Sequence, residues 1–123
     1  MGLTKREIRK KLLEPIGKPV HFKFPGNKSR RGKLLDRAVV FSSHNPDADY
    51  WDVVDLIEFP EHAHRLWIRL SYYRQVGDQL RWAGQTTITE PVHVMRRLFA
   101  RAAKQKPWFR KVLTGALEDL SKR

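Results

Sequence analysis

At 123 residues, with 25 lysines and arginines against 13 aspartates and glutamates, the chain has the length of one domain and a formal net charge of +12. It has no cysteine, which excludes a disulfide framework and thiolate chemistry. It has no apolar run long enough to span a bilayer and no secretion-signal pattern at its start, so a soluble, cytoplasmic protein without membrane insertion is expected. A surface this basic selects anionic partners, with nucleic acid foremost.

The charge is segregated. Residues 1–37 hold twelve cations and three acids, whereas residues 38–64 hold six acids and no Lys or Arg. Residues 65–90 carry four cations and two acids, and residues 91–123 carry nine and two. The acidic stretch is expected either to pair with cations inside the fold or to form a separate site.

In chain order, a helix is predicted over residues 4–14. Thr4 and Glu7 form a capping box, Leu3 and Ile8 stand at hydrophobic-staple positions, and Pro15 ends it. Ile8, Leu12 and Leu13 give it an apolar stripe, while Arg6, Arg9, Lys10 and Lys11 suit phosphate contact. Residues 19–89 are predicted to form a five-stranded antiparallel sheet. Val20, Phe22 and Phe24 alternate as an inward set, and residues 25–33 read as a turn-rich tip carrying Lys28, Arg30, Arg31 and Lys33. Leu34 to Phe41 is apolar on both faces, as a central or strongly bent strand would be. Residues 42–49 read as a loop. Tyr50 to Phe59 is a strand whose odd positions Trp51, Val53, Ile57 and Phe59 point inward.

Helix, Ile16-Gly17-Lys18, alternating strand, glycine-containing basic tip and Gly32-Lys33-Leu34-Leu35-Asp36 follow in an order that resembles the opening of small SH3-like and Sm-like β-barrels. The later Sm motifs are absent: no Asn follows Asp36 at the expected place and no Arg-Gly pair stands in the later strands. The resemblance therefore implies architecture alone.

From Arg65 to Thr89 the pattern is that of a β-hairpin. Leu66, Ile68, Leu70 and Tyr72 alternate with Arg65, Trp67, Arg69, Ser71 and Tyr73. Keeping the apolar positions together favours a three-residue loop, Gln75-Val76-Gly77, over a two-residue Gly77-Asp78 turn. In that register Tyr72 faces Leu80 and Leu70 faces Trp82, and the set Leu66, Ile68, Leu70, Leu80, Trp82 and Ile88 should be buried with Leu113 and Leu117. The opposite face then offers Arg65, Trp67, Arg69, Tyr73 and Arg81, in which aromatic rings can stack bases and guanidinium groups can neutralise phosphates.

Residues 90–121 are predicted to form an αα-hairpin. Thr89 can cap its first helix, with Pro91 in the first turn; that helix presents Met95, Leu98, Phe99 and Ala102 on one side and Arg96, Arg97, Arg101 and Lys104 on the other. Pro107 separates the second, with Phe109, Val112, Leu113, Ala116, Leu117 and Leu120 at helical spacing. The fold class is thus α+β: a small five-stranded SH3-like or Sm-like barrel or curved sheet, a short N-terminal helix and a C-terminal helical hairpin, in a single domain spanning 1–123.

Catalytic signals are weak. Asp47-Ala48-Asp49 lacks the glycine and distal glutamate of a calcium loop, and residues 38–64 lack the lysine that a two-metal nuclease would use. His62 and His64 could share a metal on a strand, with no third ligand assignable. Gly32-Lys33 lacks the spacing of a phosphate loop. No enzyme activity and no cofactor are expected.

Three readings follow. The first is a nucleic-acid-binding module for RNA or single-stranded DNA, using the hairpin face (Arg65, Trp67, Arg69, Tyr73, Arg81), the tip (Lys28, Arg30, Arg31, Lys33) and the helical cations Arg97, Arg101 and Lys104. The second is a protein-interaction or assembly subunit, with a different protein or another copy of itself, anchored by Trp67, Tyr73 and Trp108. The third is a metal-dependent nuclease built on Asp47–Asp55.

Overall fold

A computed structural model describes residues 2–24, 28–42, 48–83 and 88–122. Helix α1 (Lys5–Leu13) is followed by strands β1 (Pro19–Phe24), β2 (Lys28–Ser42), β3 (Asp49–Glu58), β4 (Leu66–Val76) and β5 (Gln79–Trp82), then helices α2 (Val92–Gln105) and α3 (Pro107–Ser121). The strands lie in sequence order in one antiparallel sheet, curled into a half-barrel. This is the expected α+β architecture in its curved-sheet form.

The capping box of α1 forms as predicted. Thr4 Oγ1 accepts from the Glu7 N–H at 3.1 Å and Glu7 Oε1 accepts from the Thr4 N–H at 3.1 Å. The Thr4 N–H, and after it the Thr4 hydroxyl, which donates to the same Oε1 at 2.9 Å, hold the Glu7 carboxyl below its usual range. Ile8 and Leu12 of α1 pack on Val39, Trp51 and Val53, with Leu3, Phe41, Tyr73 and Leu80 at the margin. Helices α2 and α3 cover the other side, where Leu98, Ala102 and Phe109 meet Ala38, Val40 and Val54. The sheet therefore has helices on both faces, one α1 side and one α2–α3 side.

Strand β2 serves both by alternation, with Val39 toward α1 and Ala38 and Val40 toward α2–α3, and its parity changes once along its length. Leu34 pairs with Ile57, but the next pairing is Asp36 with Leu56, and this bulge at Leu35 turns odd residues to the α1 side from Arg37 onward. Before the bulge the even residue Leu34 packs with Ile57, Phe59, Ile16 and Val20. Apolar residues on both faces of β2 are thus explained by two helical layers.

The hairpin departs from expectation. Val76 pairs with Gln79 and Tyr73 with Trp82, so the turn is the two-residue Gly77-Asp78. Gly77 has φ +61°, the left-handed conformation that such a turn favours in its first position. The three-residue loop rested on a single buried face. With helices on both sides there is no such constraint, and Leu80 and Trp82 join Tyr73 and Gln75 on the α1 side. Asp78 Oδ1 then accepts from the Leu3 N–H at 2.8 Å, tying the turn to the start of α1.

The predicted buried set fails because the helical cover does not reach it. Leu66, Ile68 and Leu70 lie on the α2–α3 side but beyond the helices, and they are 60%, 38% and 43% exposed. Trp82 and Leu117 are also exposed, whereas Leu113 packs against the α2–α3 core. Thr89 does not cap α2: Pro91 holds the N-cap position without a side-chain bond. Lys106 alone separates α2 from α3, and Phe99 meets Phe109 edge-on at 5.9 Å beside that junction. No helix among the described residues is long and apolar enough to cross a membrane.

Candidate nucleic-acid interface

Four of the six acids of the acidic stretch lie on strand β3, and two of them, Asp52 and Asp55, are buried. Asp55, fully buried, accepts from Arg37 Nε at 2.7 Å and Arg37 Nη2 at 3.1 Å, and from Arg69 Nη2 at 2.8 Å and Nε at 3.1 Å. Arg37 also donates to the Leu12 carbonyl at 2.8 Å, where α1 ends, and to Tyr73 Oη at 3.1 Å. Burial opposes the Arg37 charge, but the bonds and charge of Asp55, and then Tyr73, more than offset it and raise its pKa. One carboxylate thus organises two guanidinium groups, each donating two hydrogen bonds, from the strands on either side of it.

Of these, Arg69 carries the site. Its guanidinium lies 4.3 Å over the Trp82 ring, a cation–π contact, while Asp55 holds its edge. Trp67 flanks it two residues back along β4, packed edge-on against Phe59 at 5.7 Å and His62 at 5.0 Å, with Nε1 donating to the His64 carbonyl at 2.7 Å. Trp67 and Trp82 remain 37% and 44% exposed. Tyr73 meets Trp82 at 5.6 Å and is half-buried. The result is a shelf on the α1 side whose two exposed indoles bracket an arginine held in a fixed orientation.

The sequence-derived site residues divide between the two sides of the sheet. Trp67, Arg69 and Tyr73 share the α1 side, and Arg65, beside them, is engaged by Glu58 at 3.1 Å. Arg81 is opposite Arg74 and faces the α2–α3 side, so the register that would have placed it with Trp67 does not exist. Lys28, Arg30, Arg31 and Lys33 belong to strand β2 instead of a loop tip, opposite Phe24, Phe22, His21 and Pro19. Arg31 and Lys33 are exposed on the α2–α3 side, and the side chains of Lys28 and Arg30 lie outside the described residues. Arg97, Arg101 and Lys104 are exposed on α2. A strand lying on the shelf cannot also touch Arg31, Lys33, Arg97, Arg101 and Lys104 without wrapping around the sheet. Cations on the shelf's own side come from α1, where Arg6, Lys10 and Lys11 are exposed.

Trp82 is the residue that sequence reasoning missed, and the signal was the glycine of a two-residue turn. Trp108, read as an interface anchor, instead donates from Nε1 to Asp36 at 2.9 Å beside Lys106 Nζ at 2.9 Å. Burial works against the Asp36 charge, but the bonds from Trp108, Lys106 and the Arg37 N–H together hold its carboxyl below the usual range.

The acidic cluster is not assembled as a metal site. Asp52 faces Val40 and Tyr72 on the α2–α3 side and Asp55 faces Arg37 on the α1 side, while Asp47 lies outside the described residues. His62 Nδ1 accepts from the His64 N–H at 2.9 Å, and no group of three potential ligands occurs among the described residues. Asp52 is buried, with the Glu90 carboxyl as its ionisable neighbour. Burial first, then the charge of Glu90 and a hydrogen bond shared with it, push its carboxyl up to about 7.

No protein-family model, curated protein or solved structure matches this chain.

Proposed function

We propose that the protein is a non-enzymatic nucleic-acid-binding module that takes single strands or flexible RNA loops on the shelf of Trp67, Arg69 and Trp82. The observation that carries the reading is the fixed guanidinium between two exposed indoles, beside a helix whose outward residues are Arg6, Lys10 and Lys11. Exposed indoles accept bases in sequence-tolerant stacking, and the helix cations neutralise the backbone. Inward use of Asp52 and Asp55 keeps their carboxyls from opposing phosphate at the surface. Bases in a duplex are already stacked, so single strands are preferred.

The test is fluorescence anisotropy with labelled single-stranded and duplex oligonucleotides at two salt concentrations. Replacing Trp67 and Trp82 by Ala weakens single-strand binding by about 1–3 kcal/mol for each base that stacks. The change Lys10→Ala with Lys11→Ala flattens the log–log salt slope by roughly 0.7 for each phosphate that is no longer neutralised. Arg97→Ala with Arg101→Ala, on the other side of the sheet, leaves the indole-dependent part unchanged. Absence of wild-type affinity at low salt overturns the reading.

A further inference from the structure

Strand β5 stands last in the sheet order and is only four residues long, Gln79–Trp82. Its alternation sends consecutive residues to opposite sides of the sheet: Trp82 belongs to the shelf on the α1 side, and Arg81 faces the α2–α3 side. The two side chains are therefore separated by the thickness of one strand at the rim. Arg31 and Lys33, by contrast, lie on β2, with β3 and β4 between them and that rim.

Arg81 pairs directly with Arg74, which follows the exposed apolar strip of Leu66, Ile68 and Leu70 along β4, and both arginines are exposed. The Ala83 N–H donates to the Tyr72 carbonyl at 2.9 Å, so the alternation of an antiparallel ladder makes Arg74 and Arg81 a hydrogen-bonded pair as well, with Cα atoms about 5.5 Å apart. Like charges directly opposed across two strands repel. Neither arginine is paired with a carboxylate among the described residues. Of the acids nearby, Asp78 is bonded to the Leu3 N–H, Asp49 alternates to the α1 side, and Asp52 is buried beside Glu90. Two guanidinium groups side by side without a counter-charge form a fork for one anion, and a phosphate can accept from both. Tyr50 stands across from Arg74 on β3 and meets Tyr72 edge-on at 5.3 Å, so half-buried rings lie beside the fork. Cations next to aromatic rings suit a nucleotide better than the carboxylate of an acidic peptide.

We infer that a single strand leaving the shelf at Trp82 crosses the rim at β5 and places a backbone phosphate between Arg81 and Arg74. The inference rests on the shelf reading and adds to it a path and a length requirement. Strands that only cover Trp67 and Trp82 do not reach the fork, and longer ones do. A duplex is too stiff to bend around a single strand of protein, so the fork adds to the preference for flexible nucleic acid.

The experiment titrates labelled single strands of about three to about twelve nucleotides against wild type, Arg74→Gln with Arg81→Gln, and Trp67→Ala with Trp82→Ala. Wild-type affinity should step up once a strand spans from shelf to fork. The arginine variant should bind the shortest strands as wild type does, bind the long ones roughly tenfold more weakly, and lose about 0.7 from their log–log salt slope. The tryptophan variant should be weaker at every length. Arg97→Gln with Arg101→Gln removes the same charge from α2 and should leave the step intact. Circular dichroism is the folding control: with the repulsion relieved, the Arg74 and Arg81 variant should melt no lower than wild type. The inference falls while the shelf stands if the tryptophan change weakens binding but the Arg74 and Arg81 change spares the step, weakens all lengths alike, lowers the melting midpoint, or is matched by the change on α2. If the tryptophan change has no effect at any length, or wild type binds no strand at low salt, the shelf reading falls and the path falls with it.

Discussion

Strands β3 and β4 lie side by side and read alike in sequence, as alternating apolar and polar residues of similar length. Their environments are opposite. In β3, Trp51, Asp52, Val53, Val54, Asp55 and Ile57 are all buried, and in β4 only Ser71 is. The difference is helical cover: β3 sits under α1 on one side and α2–α3 on the other, whereas the α1 cluster touches β4 only at its margin, at Tyr73. Alternation tells which residues share a face. It does not tell which face is covered. What β4 keeps exposed as a result is both its aromatic shelf and its apolar strip.

The largest test of this contrast is Asp55→Ala. The variant leaves Arg37 buried and Arg69 mostly buried without their carboxylate, and breaking a buried ion pair on one side costs roughly 3–5 kcal/mol. Urea denaturation measures it, and a loss under about 1 kcal/mol would show that water or rearrangement replaces Asp55. Next comes a pair of identical substitutions. Ile57→Ala in β3 should cost about 2–5 kcal/mol, because its site is fully buried, while Ile68→Ala in β4 should cost less than about 1 kcal/mol. Equal losses would erase the distinction between the strands.

The smallest effect depends on pH. The Asp52 carboxyl, raised to about 7 in the fold, binds its proton more tightly there than in the unfolded chain near 3.8. The folded state therefore holds more protons between those values, and the stability this group confers is full below about pH 4 and is lost as pH rises through 7. Asp52→Asn should remove that loss, making the variant more stable than wild type at pH 8 by about 1–3 kcal/mol relative to their difference at pH 4. Thermal or urea unfolding of both proteins at the two pH values gives the comparison. A constant difference would place the Asp52 titration in its ordinary range.

Much of the fold was legible. Thr4 and Glu7 determine where α1 starts by local hydrogen bonds, and Pro15 and Pro107 bound helices by their own geometry, so those elements need no tertiary knowledge. The double-faced apolar run of β2 announced a central strand. The hairpin register was not legible, because choosing between a two- and a three-residue turn required knowing whether one face or both would be covered. That depended on helices far away in the chain. The candidate site inherited the error: Arg69 and Trp67 were found by alternation, but Trp82 replaced Arg81 once the register moved by one residue. The pairing of Asp55 with Arg37 and Arg69 joins three strands, and no local spacing encodes it.

Strand β2 supplies a residue to every buried cluster: Leu34 to one, Val39 to the second, Ala38 and Val40 to the third. Alternation past the bulge divides Val39 from Ala38 and Val40, and the bulge turns the even residue Leu34 to the same side as Val39. Opening any layer would disturb the strand that the other two rest on, so partial unfolding has no separable unit at the centre of the molecule. The amides of residues 36–41 should accordingly be the slowest to exchange with deuterium, and they should do so together, at a rate set by loss of the entire fold.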